Sequence, residues 1–286
     1  MDVRRFEQCV RHLAKHYRVV SLEDVFCNGV ETGAGKPLAS ITFDDGYHDN
    51  LEYAAPILQR YKCPASFYIV TDCIDTGEMV WTQEIKHYFR TTQLLEMRAA
   101  LNYLPPHLQA TRWKRRKDRL AYAKSIRDHL ITADQELRRH FLADMRAAFS
   151  DVAQPRLMMT WDEVRAMQAA GFVIGSHTKT HPVLTEVANQ AIVEEEMMAS
   201  GRRIMEELGS FPISVAYPFG ACNAAVMETT KRCGYKIALT ANQRWYTPGK
   251  DGAYNISRTG LSNESWLVTR ARINGSYERV KRMLGR

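Results

Sequence analysis

Three short apolar runs, each opening onto a cluster of metal-ligating or catalytic side chains, constrain this chain more than any other feature. Ile41-Thr42-Phe43 runs into Asp44, Asp45 and Gly46. Phe172-Val173-Ile174-Gly175 delivers Ser176 through His181, and Ile213-Ser214-Val215-Ala216 delivers Tyr217, Pro218, Phe219 and Gly220. Apolar runs of about four residues between helical patterns are the signature of buried parallel strands. Parallel α/β folds gather their chemistry at the carboxyl ends of strands, so these distant clusters are expected to form one site.

The intervening sequence fits that frame. Apolar positions at three- and four-residue spacing predict a helix over 3–17, followed by a short strand at Val19-Val20 and a turn capped by Ser21. A loop from Gly29 to Pro37 leads into a strand over 38–43, a helix over 50–61 and a strand over 65–70. Thr160 and Glu163 form a capping box for a helix ending at Gly171. Helices are expected over 186–208 and 224–233, with strands near 213–217, 235–240 and 254–258. Residues 84–150 read as wholly helical apart from Pro105-Pro106, too long for a βα loop. The expected domain layout is therefore 1–83 with 151–286, and an inserted helical subdomain at 84–150.

With 45% hydrophobic and 25% charged residues the chain reads as globular, which excludes a disordered or fibrous protein. It carries no signal peptide or membrane-spanning run, so the expectation is a cytoplasmic protein. Six cysteines without paired spacing read as free thiols. The net charge of +7 is concentrated between Thr82 and Arg156, where 15 Lys and Arg face 8 Asp and Glu. Its densest stretch, residues 112–117, is either a solvated helix face or a peripheral contact for anionic membrane. Nucleic acid is not an expected partner, because no aromatic-basic interleaving or recognition helix accompanies the charge.

Taken singly, the motifs are ordinary: Asp-Asp-Gly occurs in plain turns, and a His-x-x-x-His pair is as often a cap or core feature. On a helical turn, however, His177 and His181 would share a face, and with one carboxylate they make a catalytic metal set that leaves a position open for water. Adjacent acids at a strand end can divide the work, one ligating and one acting on the water.

Taken together, Thr42-Phe43-Asp44-Asp45-Gly46, His177-Thr178-Lys179-Thr180-His181 and Ala216-Tyr217-Pro218-Phe219-Gly220 resemble the polysaccharide deacetylases of the NodB-homology group, carbohydrate esterase family 4. The resemblance runs from about Ser40 to Arg258, outside the helical insertion. It implies an α/β fold, a distorted (β/α) barrel with fewer than eight strands. It also implies removal of acetyl groups from an N-acetylated sugar in a polysaccharide, oligosaccharide or glycolipid. Asp45, His177 and His181 would hold a divalent metal ion, Zn2+ first among the candidates. Asp44 would be the general base, and the Phe219 N–H would stabilise the oxyanion.

Two departures accompany the resemblance. Ala216 stands where many members have an arginine that pairs with the catalytic aspartate, and Arg258 is the candidate replacement. No histidine follows His181, and the upstream Tyr-His strand that supplies the acid in one branch is not in this sequence, which reads as one strand short at its start and would be exported if a leader preceded it. His48 is a candidate substitute acid; His12 and His16 read as non-catalytic. The alternative to an enzyme is a carbohydrate-binding protein on the same fold, weakened by loss of its acid. Tyr47, Trp81, Trp161 and Tyr217 are candidate sugar-stacking aromatics, with Trp81 the foremost.

Overall fold

Side chains alternate across six short strands, and that alternation sorts the molecule into an inside and an outside. In the computed structural model, which describes residues 1–30, 35–247 and 251–277, strands β1 (Arg18–Val19) and β2 (Leu38–Ala39) form a small parallel ladder. Strands β3 (Ile41–Phe43), β4 (Ala65–Ile69), β5 (Val173–Ser176), β6 (Ser214–Ala216), β7 (Ile237–Gln243) and β8 (Ile256–Arg258) lie side by side in sequence order, all parallel. The sheet curls into a half-barrel, and Arg258 at the end of β8 reaches Asp44 just beyond β3 although the two edge strands share no ladder. The expected α/β barrel with fewer than eight strands is the observed fold.

Ile41, Phe43, Ala65, Phe67, Ile69 and Ile174 face outward and pack beneath the helices Val3–His16, Ala55–Arg60 and Trp161–Ala169. Val215 and Ala238 do the same under the helices Gln190–Leu208 and Ala224–Arg232. The inward positions are filled by Tyr68, Ala216, Ile237, Leu239 and Ile256. At the amino ends of the strands, the buried Glu23 carboxyl accepts hydrogen bonds from Ser66 Oγ (3.3 Å) and Ser214 Oγ (2.8 Å), closing the floor of the half-barrel. Gly175 faces this interior, where a Cβ would lie 2.4 Å from the Tyr68 ring. Only glycine leaves room for that tyrosine.

The helices Trp81–Thr91, Arg116–Thr132 and Gln135–Ala148 bury Phe89, Trp113, Tyr122, Ile126, Phe141 and Phe149 in one apolar cluster that continues into Val70, Cys73 and Met158 of the barrel part. Within it the one β-bridge among the described residues joins Glu96 and Arg112. No helix among the described residues is long and apolar enough to cross a membrane.

Local differences from expectation have local causes. The strand expected over 38–43 divides at Ser40, whose hydroxyl bonds Val20 O, so β2 pairs with β1 while β3 enters the large sheet. The helix expected over 50–61 begins as a π-helical turn, Asn50–Ala54. The helix expected from residue 186 starts at Gln190, where the Asn189 side chain caps Ala191 N–H. The Thr160–Glu163 capping box is present, and the loop expected over 29–37 lies partly outside the described residues.

Gly175→Ala is expected to lower unfolding free energy by about 1–3 kcal/mol through overpacking against Tyr68, measured by urea denaturation; an unchanged midpoint would show that the interior can yield.

Candidate active site

Beyond β3, the chain places two adjacent carboxylates in opposite settings. Asp44 continues the inward face and meets Arg258 in a two-pronged contact, Nη1 to Oδ1 at 2.7 Å and Nη2 to Oδ2 at 2.8 Å. The guanidinium is itself fixed by Thr240 O (3.0 Å) and Thr42 Oγ (3.2 Å). Burial alone would raise the Asp44 pKa, but the Arg258 charge and hydrogen bonds, with His177, outweigh it and hold the carboxyl below the ordinary carboxylate range. Asp44 is thus kept ionised and oriented by Arg258.

Asp45 has a left-handed backbone (φ 75°), and Gly46 follows at φ 87°, which turns its side chain away from the Asp44 direction. Its Oδ1 lies 3.5 Å from His177 Nε2 and 3.5 Å from His181 Nε2. Three ligand atoms on metal–ligand bonds of 2.0–2.1 Å in tetrahedral array sit about 3.3 Å apart, so this set fits a divalent cation at its centre. Burial pushes Asp45 up, offset by His177, and pushes His181 well down, helped by the His177 charge. Neutral imidazole is the ligating form, and a cation at the centre would favour the ionised carboxylate of Asp45.

The two histidines do not share a helical turn. Thr178 (φ 66°) and His181 (φ 59°) are left-handed, and an irregular loop carries both imidazoles inward. That loop is held from several sides. Buried Glu196, on the helix Gln190–Leu208, accepts from Thr180 N–H (2.8 Å) and Thr180 Oγ1 (2.6 Å), while Thr71 and Asp72 N–H donate to Thr178 O and Lys179 O. His177 Nδ1 contacts Ala216 O at 2.7 Å, which fixes the tautomer that leaves Nε2 for a ligand.

Phe219 is left-handed as well (φ 57°), in a turn where Gly220 N–H donates to Tyr217 O and Ala221 N–H to Pro218 O. A Cβ on Gly220 would come within 2.0 Å of Ala241 N, so this turn requires glycine. The Phe219 ring is 43% exposed and lies 5.1 Å from the His181 ring, which brings the third motif to the first two.

The aromatic candidates divide. Trp81 is buried and its indole N–H donates to His181 O (2.9 Å), so it supports the site from beneath and presents no face to a sugar. Trp161 is engaged by Asp75 and Arg203, and Tyr217 is fully buried. Tyr47 remains half-buried beside Asp45, where burial and that carboxylate push its phenol up. His48 turns to Glu163 (3.2 Å) and Glu52 (3.9 Å). His12 packs at a tilt against His16 and edge-on against Trp266. Sequence reading missed Glu196, which sits in an undistinguished run of three glutamates, and the supporting role of Trp81.

Known proteins share this fold. No curated protein matches the chain. Among solved structures, IcaB from Ammonifex degensii superposes with a TM-score of 0.60 at 17% identity, covering 95% of this chain and 89% of the other. The Streptococcus pyogenes deacetylase PplD in complex with acetate gives 0.58 at 19% identity, covering 93% and 86%. A de-N-acetylase from Aggregatibacter actinomycetemcomitans gives 0.58 at 19% identity, covering 94% and 87%. These likenesses establish a common fold. The sequence profile of the polysaccharide deacetylases matches residues 31–110 and 125–238, well over half of the chain, and spans all three motifs. The chain belongs to the polysaccharide deacetylase family.

Proposed function

We propose that this protein is a metal-dependent deacetylase of N-acetylated sugars, with Asp44 as general base and Asp45, His177 and His181 as metal ligands. The observation that carries the reading is the pairing of an arginine-held carboxylate with a neighbouring Asp-His-His set whose atoms lie within 4.8 Å of one another. A divalent ion held there, zinc in the first instance, would supply Lewis acidity to the acyl carbonyl and acidity to a water. Asp44 takes a proton from the attacking water as its oxygen bonds the acyl carbon. The Phe219 N–H, which neither neighbouring turn bond uses, is the donor assigned to the developing oxyanion in this reading. When the C–N bond breaks, the amine needs a proton. Of the nine histidines only the two ligands stand at this cluster, so the proton held by Asp44 is the one at hand. Arg258 disfavours protonated Asp44, which makes that carboxyl a ready donor. Acetate and the free amino sugar result.

The helices over 84–150 form an inserted unit in this reading, packed on an apolar cluster shared with Val70, Cys73 and Met158. A membrane contact through residues 112–117 is supported by a neighbouring surface. Leu94 and Leu95 are 43% and 40% exposed, and Trp113 N–H donates to Leu95 O, which seats them beside the cluster. Arg112, Lys114, Arg115, Arg116 and Lys117 are exposed around them.

Asp44→Asn is expected to lower acetate release from chito-oligosaccharides by about 10²–10⁴-fold with an unchanged circular dichroism spectrum. Chelator should abolish the wild-type rate and zinc restore it. Metal binding without acetate release in the wild type would favour a binding protein instead. Because Arg258 depresses the Asp44 pKa, the basic form persists to low pH. Arg258→Met should therefore move the acid limb of kcat/KM upward by about 1–3 pH units, and an unmoved limb would remove Asp44 from the base role. Vesicles with about 30% phosphatidylglycerol should carry the protein in flotation, and Leu94→Asp/Leu95→Asp should release it; equal flotation of the double variant would exclude this surface.

A further inference from the structure

The two histidines of the ligand set are supported in different ways. The ring of His177 is fixed through Nδ1 by Ala216 O, at 2.7 Å. The Nδ1 of His181 is buried and has no hydrogen-bond partner among the described residues. His181 also occupies a left-handed backbone conformation, φ 59°, which a residue with a Cβ holds only where its surroundings impose it. Its backbone is gripped at both ends. The N–H donates to Thr178 Oγ1 (3.2 Å), and the carbonyl accepts from the Trp81 indole N–H (2.9 Å).

Trp81 opens the helix Trp81–Thr91, which leads into the inserted segment, and the helix Gln135–Ala148 of that segment holds it down. The Arg138 guanidinium lies 4.7 Å from the Trp81 ring centroid. It is buried, and its Nη2 donates to Leu130 O (3.2 Å) and Ala133 O (3.1 Å), the carbonyls at the end of the preceding helix. Those bonds fix the plane of the cation over the indole. On the site side, the Trp81 ring lies 6.1 Å from the Phe219 ring, which in turn lies against His181.

We propose that Arg138 and Trp81 are positioning residues for the metal centre: the helical insertion acts as a clamp that sets the backbone of His181, and through it the ligating Nε2, in place of the side-chain partner this histidine lacks. The proposal rests on the metal reading above.

A second pair in the same molecule supplies the control. Trp161 donates its indole N–H to Asp75 (2.7 Å) and carries Arg203 at 4.8 Å over its ring, an equivalent arrangement with no bond to a ligand residue. The full-length protein is stripped of metal, and zinc affinity is measured by competition with a chromogenic chelator, with thermal unfolding of the metal-free protein followed in parallel. Trp81→Phe keeps a ring and loses the donor, and is expected to weaken zinc binding about 10-fold or more, the effect of losing a hydrogen bond that orients a ligand. Trp161→Phe should bind as wild type does even if its melting temperature falls. Arg138→Met should weaken binding about threefold, and Arg138→Lys should recover part of that loss. In the cobalt-substituted protein, Trp81→Phe should also alter the visible ligand-field bands.

Zinc binding by Trp81→Phe and Arg138→Met equal to wild type would overturn the clamp while leaving the metal site intact. Losses of equal size in Trp81→Phe and Trp161→Phe would also overturn it, by reducing the effect to general stability. If the wild type itself failed to bind zinc, the metal reading would fall instead. Should Trp81→Phe not fold, the Arg138→Met and Arg138→Lys pair decides the question through the same affinities.

Discussion

The charge pair between Asp44 and Arg258 joins what the backbone leaves apart. β3 and β8 are the two edges of the sheet and share no ladder, yet their ends meet through two short hydrogen bonds between these side chains. The same contact spans the open side of the half-barrel and sets the ionisation of the residue proposed as base. A buried carboxylate without such a partner would drift toward the neutral form and lose its capacity to take a proton. One interaction therefore links the two edges of the sheet and holds the Asp44 carboxylate ionised. Position 216 itself carries no charge, and the cation that meets Asp44 comes from the end of β8.

The adjacent aspartates show how one turn produces two kinds of acid. Asp44 follows the strand alternation inward to an arginine. Asp45 adopts a positive φ, turns to two imidazoles and meets no fixed cation of its own, so burial moves its pKa in the opposite direction. Separated pKa values in neighbouring groups are how an active site assigns acid and base roles within a small volume. Here the separation arises from backbone direction alone, since the two side chains are chemically identical.

Much of this was legible before any coordinates. Strand ends followed by Asp-Asp-Gly, His-x-x-x-His and Tyr-Pro-Phe-Gly mark a barrel mouth, and with alanine at 216 the arginine that ends the last strand, Arg258, is the candidate partner for Asp44. Reading failed where backbone conformation departs from regular periods. The His177–His181 spacing suits a helical turn, whereas two left-handed residues bring the rings together without one. A continuous apolar run over 38–43 conceals a change of partner at Ser40, because a serine within a strand gives no warning that its hydroxyl will bond a neighbouring carbonyl. Trp81 looked like a sugar platform from its place near a motif. Its burial depends on an insertion whose packing onto the site no local pattern encodes.

The floor of the half-barrel has an implication of a different kind. Glu23 ties Ser66 and Ser214 together at the end opposite the catalytic motifs, and it arrives on a short helix from the amino-terminal segment. These three positions form a closed polar set inside an apolar lumen, so exchanging any one of them strands the others without water. Sequence drift in this lineage should then treat them as a block, inherited or replaced together. The loops at the opposite rim, free of that bond, can diversify toward new sugars while the base of the vessel stays as it is.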